Sequence, residues 1–331
     1  MDRREFIKKS IYTLSATAIG LSHPKLIEAK TEDAKVNANP IVALETSSKV
    51  RKAPGSYDED FIIQMLDRGM KKITGAGKPD DAWKNLFSKD DVIGIKVNSI
   101  TGKMFSSRLE LVRSIVKILV RSGIEEKNII IFDRKSDELI KAGYKINKST
   151  KGVRCFGTIP DGGGYSDNFI VFGEIGSRPS RILESCSAII NVPLIRDHGI
   201  VGITCALKNY LGTIDNPHKY HMNHGDPFVA DLNASCEIKI RNRLTICDGL
   251  TAQYHLGPGY EPDYSWEFNS ILMSRDPVAL DVTVLDIIEK KRKEKDIRSL
   301  EEVGRFPKYI FTASDEKHRV GISDRSKIKI L

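Results

Sequence analysis

Short runs rich in isoleucine and valine alternate along this chain with longer amphipathic segments. The runs at residues 92–97 and 128–132 are almost continuously apolar, which is typical of strands in a parallel sheet covered on both faces. Residues 109–122 instead carry apolar side chains at helical spacing, and the helix they predict ends at Gly123. The alternation therefore predicts an α/β fold, in which a mostly parallel sheet is flanked by helices.

The same reasoning assigns elements along the whole chain. Strands are predicted at residues 41–44, 92–97, 128–132, 153–156, 188–192, 244–247, 270–273, 309–312 and 327–331. Helices are predicted at 58–73, 109–122, 136–142, 179–185, 199–211, 227–237 and 277–291. The length of 331 residues allows an α/β domain over 40–331, either whole or split into two sub-domains near the glycine-rich loop 161–165. That loop lacks the spacing of a nucleotide-binding loop, so we expect a lid or a plain turn.

The N-terminus resembles an export signal. Arg3 and Arg4 precede Phe6 and Lys8, and a weakly apolar stretch without charge follows at residues 11–21. This order resembles a twin-arginine leader, which predicts a signal peptide over residues 1–29, the twin-arginine translocase as a partner and an exported, periplasmic or extracytoplasmic location. A cytoplasmic protein with a basic first helix is the alternative. No segment reaches the roughly 18 apolar residues of a membrane span, so no transmembrane segment is predicted.

Charge and cysteine content argue against other classes of protein. The chain holds 52 Lys and Arg against 44 Asp and Glu, a net charge of +8, and part of the excess falls in one run at residues 290–295. No basic stripe interleaved with aromatic residues occurs, so no nucleic-acid partner is expected. The five cysteines form no C-x-x-C pair, so neither an iron–sulfur cluster nor a disulfide framework is expected.

Polar side chains stand where several predicted strands end. Lys96 and Asn98 close the strand at 92–97, Asp133 and Arg134 follow the strand at 128–132, and Arg196 lies just beyond the strand at 188–192. In open α/β sheets, ligands bind outside the carboxyl ends of the strands. We therefore expect Lys96, Asn98 and Asp133 to bind a cofactor. A small anionic substrate is expected at Lys96, Arg134 or Arg196.

A histidine-rich segment follows this polar edge. His218, His221 and His224 recur at every third residue, with Asp226 just beyond. Imidazole and carboxylate groups are ligands of transition metals, so these four residues are the candidate metal ligands, with nickel or zinc as the expected ion. The spacing is not a standard zinc motif, and solvated loop histidines are the alternative.

Lys208 lies between His198 and this triplet, in a segment of small and apolar residues. Burial lowers the pKa of an amine and makes it nucleophilic near neutrality. His198 and Lys208 are therefore the candidate catalytic residues, and Lys208 is also a candidate attachment point for a cofactor. A lysine whose stem covers an apolar surface while its amine reaches solvent is the alternative.

The chain resembles a known family. The residues that carry the resemblance are the run 191–212 with its Ala-Leu-Lys-Asn core, the later His224, Asp248-Gly249-Leu250 and the segment 276–281. Together they resemble the family called domain of unknown function 362, over roughly residues 40 to 290. The resemblance implies an α/β fold and agrees with a twin-arginine leader. It brings no activity with it.

The spacing of His198, Lys208 and His224 is also similar to that of the lactate racemase family. That resemblance implies an acid/base role for His198, a covalent nickel-pincer nucleotide on Lys208 and a nickel ligand at His224. The glycines that flank the family's lysine are replaced here, and no histidine lies between His23 and His198. A one-base reaction or a metal site without the pincer cofactor is therefore expected.

These observations predict an exported enzyme that depends on a metal or a covalent cofactor. It would move a proton or a hydride on a small oxyacid-like substrate, as an isomerase or an oxidoreductase. An exported protein that binds a metal or an anion without catalysis is the alternative.

Overall fold

A sheet of eleven strands lies at the centre of the computed structural model, which describes residues 39–331. The predicted signal peptide lies outside these residues. The strands are β1 (Ile41–Thr46), β2 (Arg51–Ala53), β3 (Ser56–Tyr57), β4 (Ile93–Lys96), β5 (Ile129–Phe132), β6 (Arg154–Cys155), β7 (Ile170–Phe172), β8 (Ile175–Ser177), β9 (Ala188–Asn191), β10 (Leu194–His198), β11 (Gly202–Thr204), β12 (Asn242–Gln253), β13 (Ser265–Trp266), β14 (Ser270–Ser274) and β15 (Lys329–Ile330). Strands β2 and β3 form one separate hairpin, and β7 and β8 form another.

Helices cover the sheet. They are α1 (Glu59–Thr74), α2 (Pro79–Lys84), α3 (Leu109–Arg121), α4 (Ser136–Lys141), α5 (Arg181–Ser185), α6 (Ala206–Asn209), α7 (Phe228–Ala234), α8 (Cys236–Lys239), α9 (Pro277–Glu294) and α10 (Tyr309–Thr312). Short 3-10 segments add Ser48–Val50, Gly102–Met104, Glu126–Asn128, Tyr210–Thr213, Pro217–Gly225 and Pro262–Tyr264. None of the helices in the described part of the chain is both long and apolar enough to cross a membrane.

The sheet is mostly parallel, as predicted. Its order is β15-β1-β14-β12-β9-β4-β5-β6, and the neighbours from β12 through β9, β4 and β5 to β6 all run parallel. Strand β14 lies antiparallel between β1 and β12, while β10 joins β12 in parallel and pairs with β11 in an antiparallel ladder. The carboxyl ends of β4, β5, β9, β10 and β12 consequently meet at one edge of the sheet.

Both faces of the sheet are buried. In β5, Ile129 and Ile131 pack into the apolar cluster that includes α1 and α3, whereas Ile130 and Phe132 pack into the cluster that includes α7 and α9. Alternate residues of a strand point to opposite faces, so a strand covered on both sides needs apolar residues at every position. This explains the unbroken apolar runs in the sequence.

Two predicted elements are wrong. The predicted helix at 199–211 instead begins with the turn after β10 and with β11, which pairs with β10, and continues with α6 and a 3-10 turn. Gly202 has φ of +85°, and a Cβ at this position would lie 2.3 Å from the carbonyl oxygen of Arg305, so a helix cannot pass through it. The predicted strand at 309–312 is α10, in which the Tyr309 hydroxyl donates a hydrogen bond to the carbonyl oxygen of Ile203.

The glycine-rich loop at 161–165 lies inside the compact unit that spans Val36–Leu331. The backbone N–H of Gly164 donates to the carbonyl oxygen of Thr158, and the N–H of Arg181 donates to that of Gly164. Asp161 pairs with Lys148 at 3.1 Å. These contacts tie the loop to the start of α5.

Candidate functional site

A cavity of about 520 Å³ opens at the carboxyl ends of β4, β5 and β10. It brings together nine residues predicted from sequence, namely Lys96, Asn98, Asp133, Arg134, Arg196, His198, Lys208, His218 and His221. The remaining lining residues are Ile100, Glu138, Ile200, Thr204, Asn209, Leu211, Gly212, Pro217 and Pro258. A larger depression of about 690 Å³ at the C-terminal end of α9 contains none of the predicted residues.

Two of the predicted metal ligands lie elsewhere. His224 is exposed, and its Nδ1 atom lies 2.9 Å from the carbonyl oxygen of Ile200. The carboxylate of Asp226 lies 3.8 Å from the Lys308 amine. Neither residue lines the cavity, so the structure does not bring the four predicted metal ligands together.

Lys96 and Asp133 form a buried ion pair with its hydrogen bonds filled. The Lys96 amine donates to Asp133 Oδ1 and to the carbonyl oxygen of Val97, both at 2.8 Å. Asp133 Oδ2 accepts further hydrogen bonds from the backbone and hydroxyl of Ser99. A Cβ at Gly212 would lie 2.7 Å from both the amine and Oδ1, so only glycine lets the backbone pass so close. This pair holds two strand ends together.

Arg196 also faces the cavity, but with no carboxylate partner in the described part of the chain. Its guanidinium is fully buried and donates only to Asn98 Oδ1 and Thr101 Oγ1, both at 3.2 Å. The Nε atom is buried without a hydrogen-bond partner, and the group lies 5.6 Å from the ring of Phe105. Burial lowers the pKa of Arg196 to about 10, so the group still carries its charge at neutral pH.

A chain of amides fixes the floor of the site. Asn98 Nδ2 donates to Asn209 Oδ1 at 3.2 Å, and Asn209 Nδ2 donates to Asn191 Oδ1 at 2.7 Å. Asn191 Nδ2 in turn donates to the carbonyl oxygen of Ala206 at 2.8 Å. All three asparagines are buried. The chain links three segments and holds Asn98 in the orientation that accepts from Arg196.

Lys208 lies on α6 with its amine in the cavity. Within residues 39–331 this amine forms neither a hydrogen bond nor an ion pair, although the residue is only 9% exposed. Burial, together with the charge of Arg196, lowers the pKa of Lys208 to about 7. Near neutral pH the amine is therefore present in a neutral, nucleophilic form as well as in the protonated form.

His198 is held as a neutral imidazole. Its Nδ1 atom accepts hydrogen bonds from the backbone nitrogens of Ile200 and Val201 at 3.2 and 3.4 Å, so the ring proton is assigned to Nε2. Burial and the neighbouring Lys208 charge lower the pKa of His198 to about 2. The ring packs against His221 with centroids 5.3 Å apart. His198 is thus suited to donate a hydrogen bond from Nε2 and poorly suited to accept a proton.

The described residues contain no group of three or more His, Cys, Asp or Glu side chains placed to hold a metal ion. His218 and His221 line the cavity, with ring centroids 6.4 Å apart, but His224 and Asp226 do not join them. Because the four predicted ligands do not lie together, the roles of Arg196, His198 and Lys208 are derived without a metal or a nickel-pincer cofactor.

Sequence reasoning missed Asp281. This carboxylate, fully buried on α9, accepts hydrogen bonds from the backbone nitrogens of Ala206 at 2.7 Å and Leu207 at 3.1 Å. It therefore fixes the first turn of the helix that carries Lys208. The available signal was an aspartate inside an otherwise apolar helical run, since such a carboxylate needs a buried partner.

Comparison with known proteins identifies a family and gives no activity. The sequence pattern of the family described as "Domain of unknown function (DUF362)" matches residues 93–286. A crystal structure of a protein from Thermotoga maritima resembles this chain at 14% identity and a TM-score of 0.40, covering 73% of this chain and 60% of its own. The chain thus corresponds to less than two thirds of that protein's length. No curated protein matches the chain.

Proposed function

This chain belongs to the domain of unknown function 362 family, and we propose that it is an enzyme acting on a small oxyacid anion in the cavity at the sheet edge. One observation carries the proposal. The two carboxylates of the cavity, Asp133 and Glu138, are each paired with a cation, whereas Arg196 and Lys208 have no carboxylate partner among the described residues. Arg196 is a buried cation without a counter-ion, and Lys208 beside it is at least partly protonated near neutral pH, which together favour an anionic ligand in the cavity.

The geometry suggests a division of roles. Arg196 is placed to bind the carboxylate, since it lines the cavity and its guanidinium has no carboxylate partner among the described residues. His198 would donate from Nε2 to the hydroxyl or carbonyl oxygen of the substrate. Lys208, rather than His198, is the group suited to accept a proton near neutral pH, because the pKa of Lys208 is about 7 and that of His198 is about 2.

Export and metal dependence belong to this proposal on the strength of the sequence. Because the N-terminus resembles a twin-arginine leader, we propose that the enzyme is periplasmic and that the translocase exports it in folded form. The proposed metal, nickel or zinc, would rest on His218 and His221, which line the cavity. Elemental analysis tests it. Well under one equivalent of metal, equal in wild type and in His221→Ala, would contradict metal dependence.

Binding and turnover can be separated in one series. Calorimetry with lactate and pyruvate should give saturable binding in wild type and much weaker binding in Arg196→Met. Proton NMR of the same mixtures in D₂O should then show deuterium replacing carbon-bound hydrogen in the ligand. Saturable binding without any exchange or conversion would favour the alternative, a non-catalytic anion-binding protein. The absence of binding to every small oxyacid would overturn the proposal.

A further inference from the structure

Two lysines are buried in the same cavity and differ in one respect. The amine of Lys96 is engaged by Asp133 and by the carbonyl oxygen of Val97, each at 2.8 Å. The amine of Lys208 has no such partner in the described part of the chain, although it lies in the cavity and is almost as deeply buried. The fold uses the first amine and leaves the second available for chemistry.

An amine that serves only to attract an anion gains nothing from this environment. A buried cation loses the water that solvates it, which is unfavourable. A lysine at the surface could supply the same charge and remain solvated. A nucleophilic amine has the opposite requirement, because it reacts only when it is neutral. Burial next to the Arg196 charge lowers the pKa of Lys208 to about 7 and supplies the neutral form.

The neighbouring groups define which electrophile fits. Arg196 offers a carboxylate site in the same cavity, and the Nε2–H of His198 offers a hydrogen bond to a polarised oxygen. The rest of the lining includes the apolar side chains of Ile100, Ile200 and Leu211. A compound with a ketone or aldehyde carbonyl bonded directly to a carboxylate, and with a short apolar chain, fits this lining. Its carboxylate would bind Arg196, its carbonyl oxygen would accept from His198, and its apolar chain would contact the apolar side chains.

We propose that Lys208 forms an imine with the carbonyl carbon of a 2-oxo acid whose carboxylate is bound by Arg196. This inference rests on the proposed function, because it uses the same anion site. The amine nitrogen attacks the carbonyl carbon, and the C–N bond forms while the carbonyl oxygen takes up protons. The oxygen then leaves as water with both amine protons, and a C=N bond replaces the C=O bond. His198 donates its hydrogen bond to that oxygen as it develops negative charge. No oxidant or reductant is required.

Reductive trapping tests the proposal on the wild-type protein. The full chain is incubated with pyruvate and sodium cyanoborohydride, and the product is examined by intact mass and peptide mapping. We expect one reduced pyruvyl group per chain on the peptide containing Lys208, with Lys96 unmodified. Labelling should rise as the pH increases through about 7, following the neutral amine. No adduct on Lys208, or equal labelling of surface lysines, would overturn the imine.

Controls distinguish this failure from failure of the proposed function. Lactate has the carboxylate but carries a hydroxyl group in place of the ketone of pyruvate. It should therefore bind without forming an imine and compete with trapping. If lactate binds in an Arg196-dependent manner and pyruvate still leaves no adduct, only the imine is wrong. If neither compound binds, the anion site itself is wrong. Lys208→Arg should give no adduct, while Lys151→Arg in an exposed loop should label like wild type.

Discussion

The carboxylate of Asp281 holds the backbone nitrogen of Ala206 at 2.7 Å, although the two residues are 75 positions apart in the chain. The second oxygen accepts from Leu207, so one buried side chain on α9 caps the helix that presents Lys208. Four-residue helices have little stability of their own, and α6 depends on this contact for its position. The Lys208 amine is therefore positioned by a carboxylate on another helix.

Asp281 should make stability depend on pH in a defined direction. Burial raises the pKa of Asp281 to about 7, from an ordinary value of 3.8. Between these values the folded chain binds more protons than the unfolded chain, so the contribution of Asp281 to the free energy of unfolding falls as the pH rises. We expect the fall in the urea midpoint between about pH 5 and about pH 8 to be smaller in Asp281→Asn than in wild type.

The matched control is Asp286→Asn. Asp286 lies on the same helix but is exposed, and it pairs with Arg325 at the surface, where an ion pair contributes little. This variant should follow the wild-type pH profile. Identical profiles for wild type and Asp281→Asn would show that the Asp281 carboxylate is not protonated on folding.

The long helices were predictable because the helical spacing of their apolar residues repeats over several turns. Residues 109–122 were predicted as a helix and form α3 at Leu109–Arg121, with the expected apolar face buried. The run at 309–312 was predicted as a strand and forms a single helical turn, since four apolar residues do not distinguish the two periods. At 199–211, the positive φ of Gly202 decided the structure, and a sequence does not display a backbone angle.

The candidate site was predictable as an edge of the sheet but not as a set of contacts. Parallel strands bring their carboxyl ends together, which places Lys96, Asn98 and Asp133 in one cavity with His198. The histidine spacing misled, because the backbone turns at Asn223 and His224, both with positive φ, and His224 lies outside the cavity. The role of Asp281 depends on packing between α9 and α6, and no local pattern encodes that contact.

Arg196 should dominate affinity for the anion. Arg196→Lys keeps a positive charge but loses the planar group that donates to Asn98 and Thr101 and that can bind a carboxylate through two nitrogens. A hydrogen bond to a charged group contributes about 1.5–3 kcal/mol, so calorimetry should show lactate binding weakened by roughly 10- to 100-fold. The control is Arg113→Lys, since Arg113 pairs with Glu59 and neither residue lines the cavity. Unchanged affinity in Arg196→Lys would remove Arg196 from the site.

The proposed twin-arginine leader gives a prediction about location. Replacing Arg3 and Arg4 together by lysine keeps the charge of the N-terminus but removes the paired arginines that the export signal requires. Cell fractionation should find the double variant in the cytoplasm and the wild-type protein outside it. Replacing Lys9 and Lys25 by arginine, outside the residues that resemble the signal, serves as a control of equal charge. Export of the double variant at the wild-type level would contradict the leader.

Lys208 should cost stability while it provides reactivity. Its pKa of about 7 lies below the ordinary value of 10.5, so burial of the amine destabilises the fold fully below about pH 7 and ceases to do so above 10.5. Lys208→Met keeps the apolar stem and removes the amine, so its melting temperature should exceed that of wild type near pH 7. The difference should shrink steadily as the pH rises from about 7 towards 10.5, because the folded-state amine is already neutral while the unfolded-state amine loses its proton over this range. Pyruvate trapping should be lost in the same variant, and Lys151→Met should change neither property. A lower melting temperature for Lys208→Met near pH 7 would mean that the amine stabilises the fold, which would contradict its availability to a ligand.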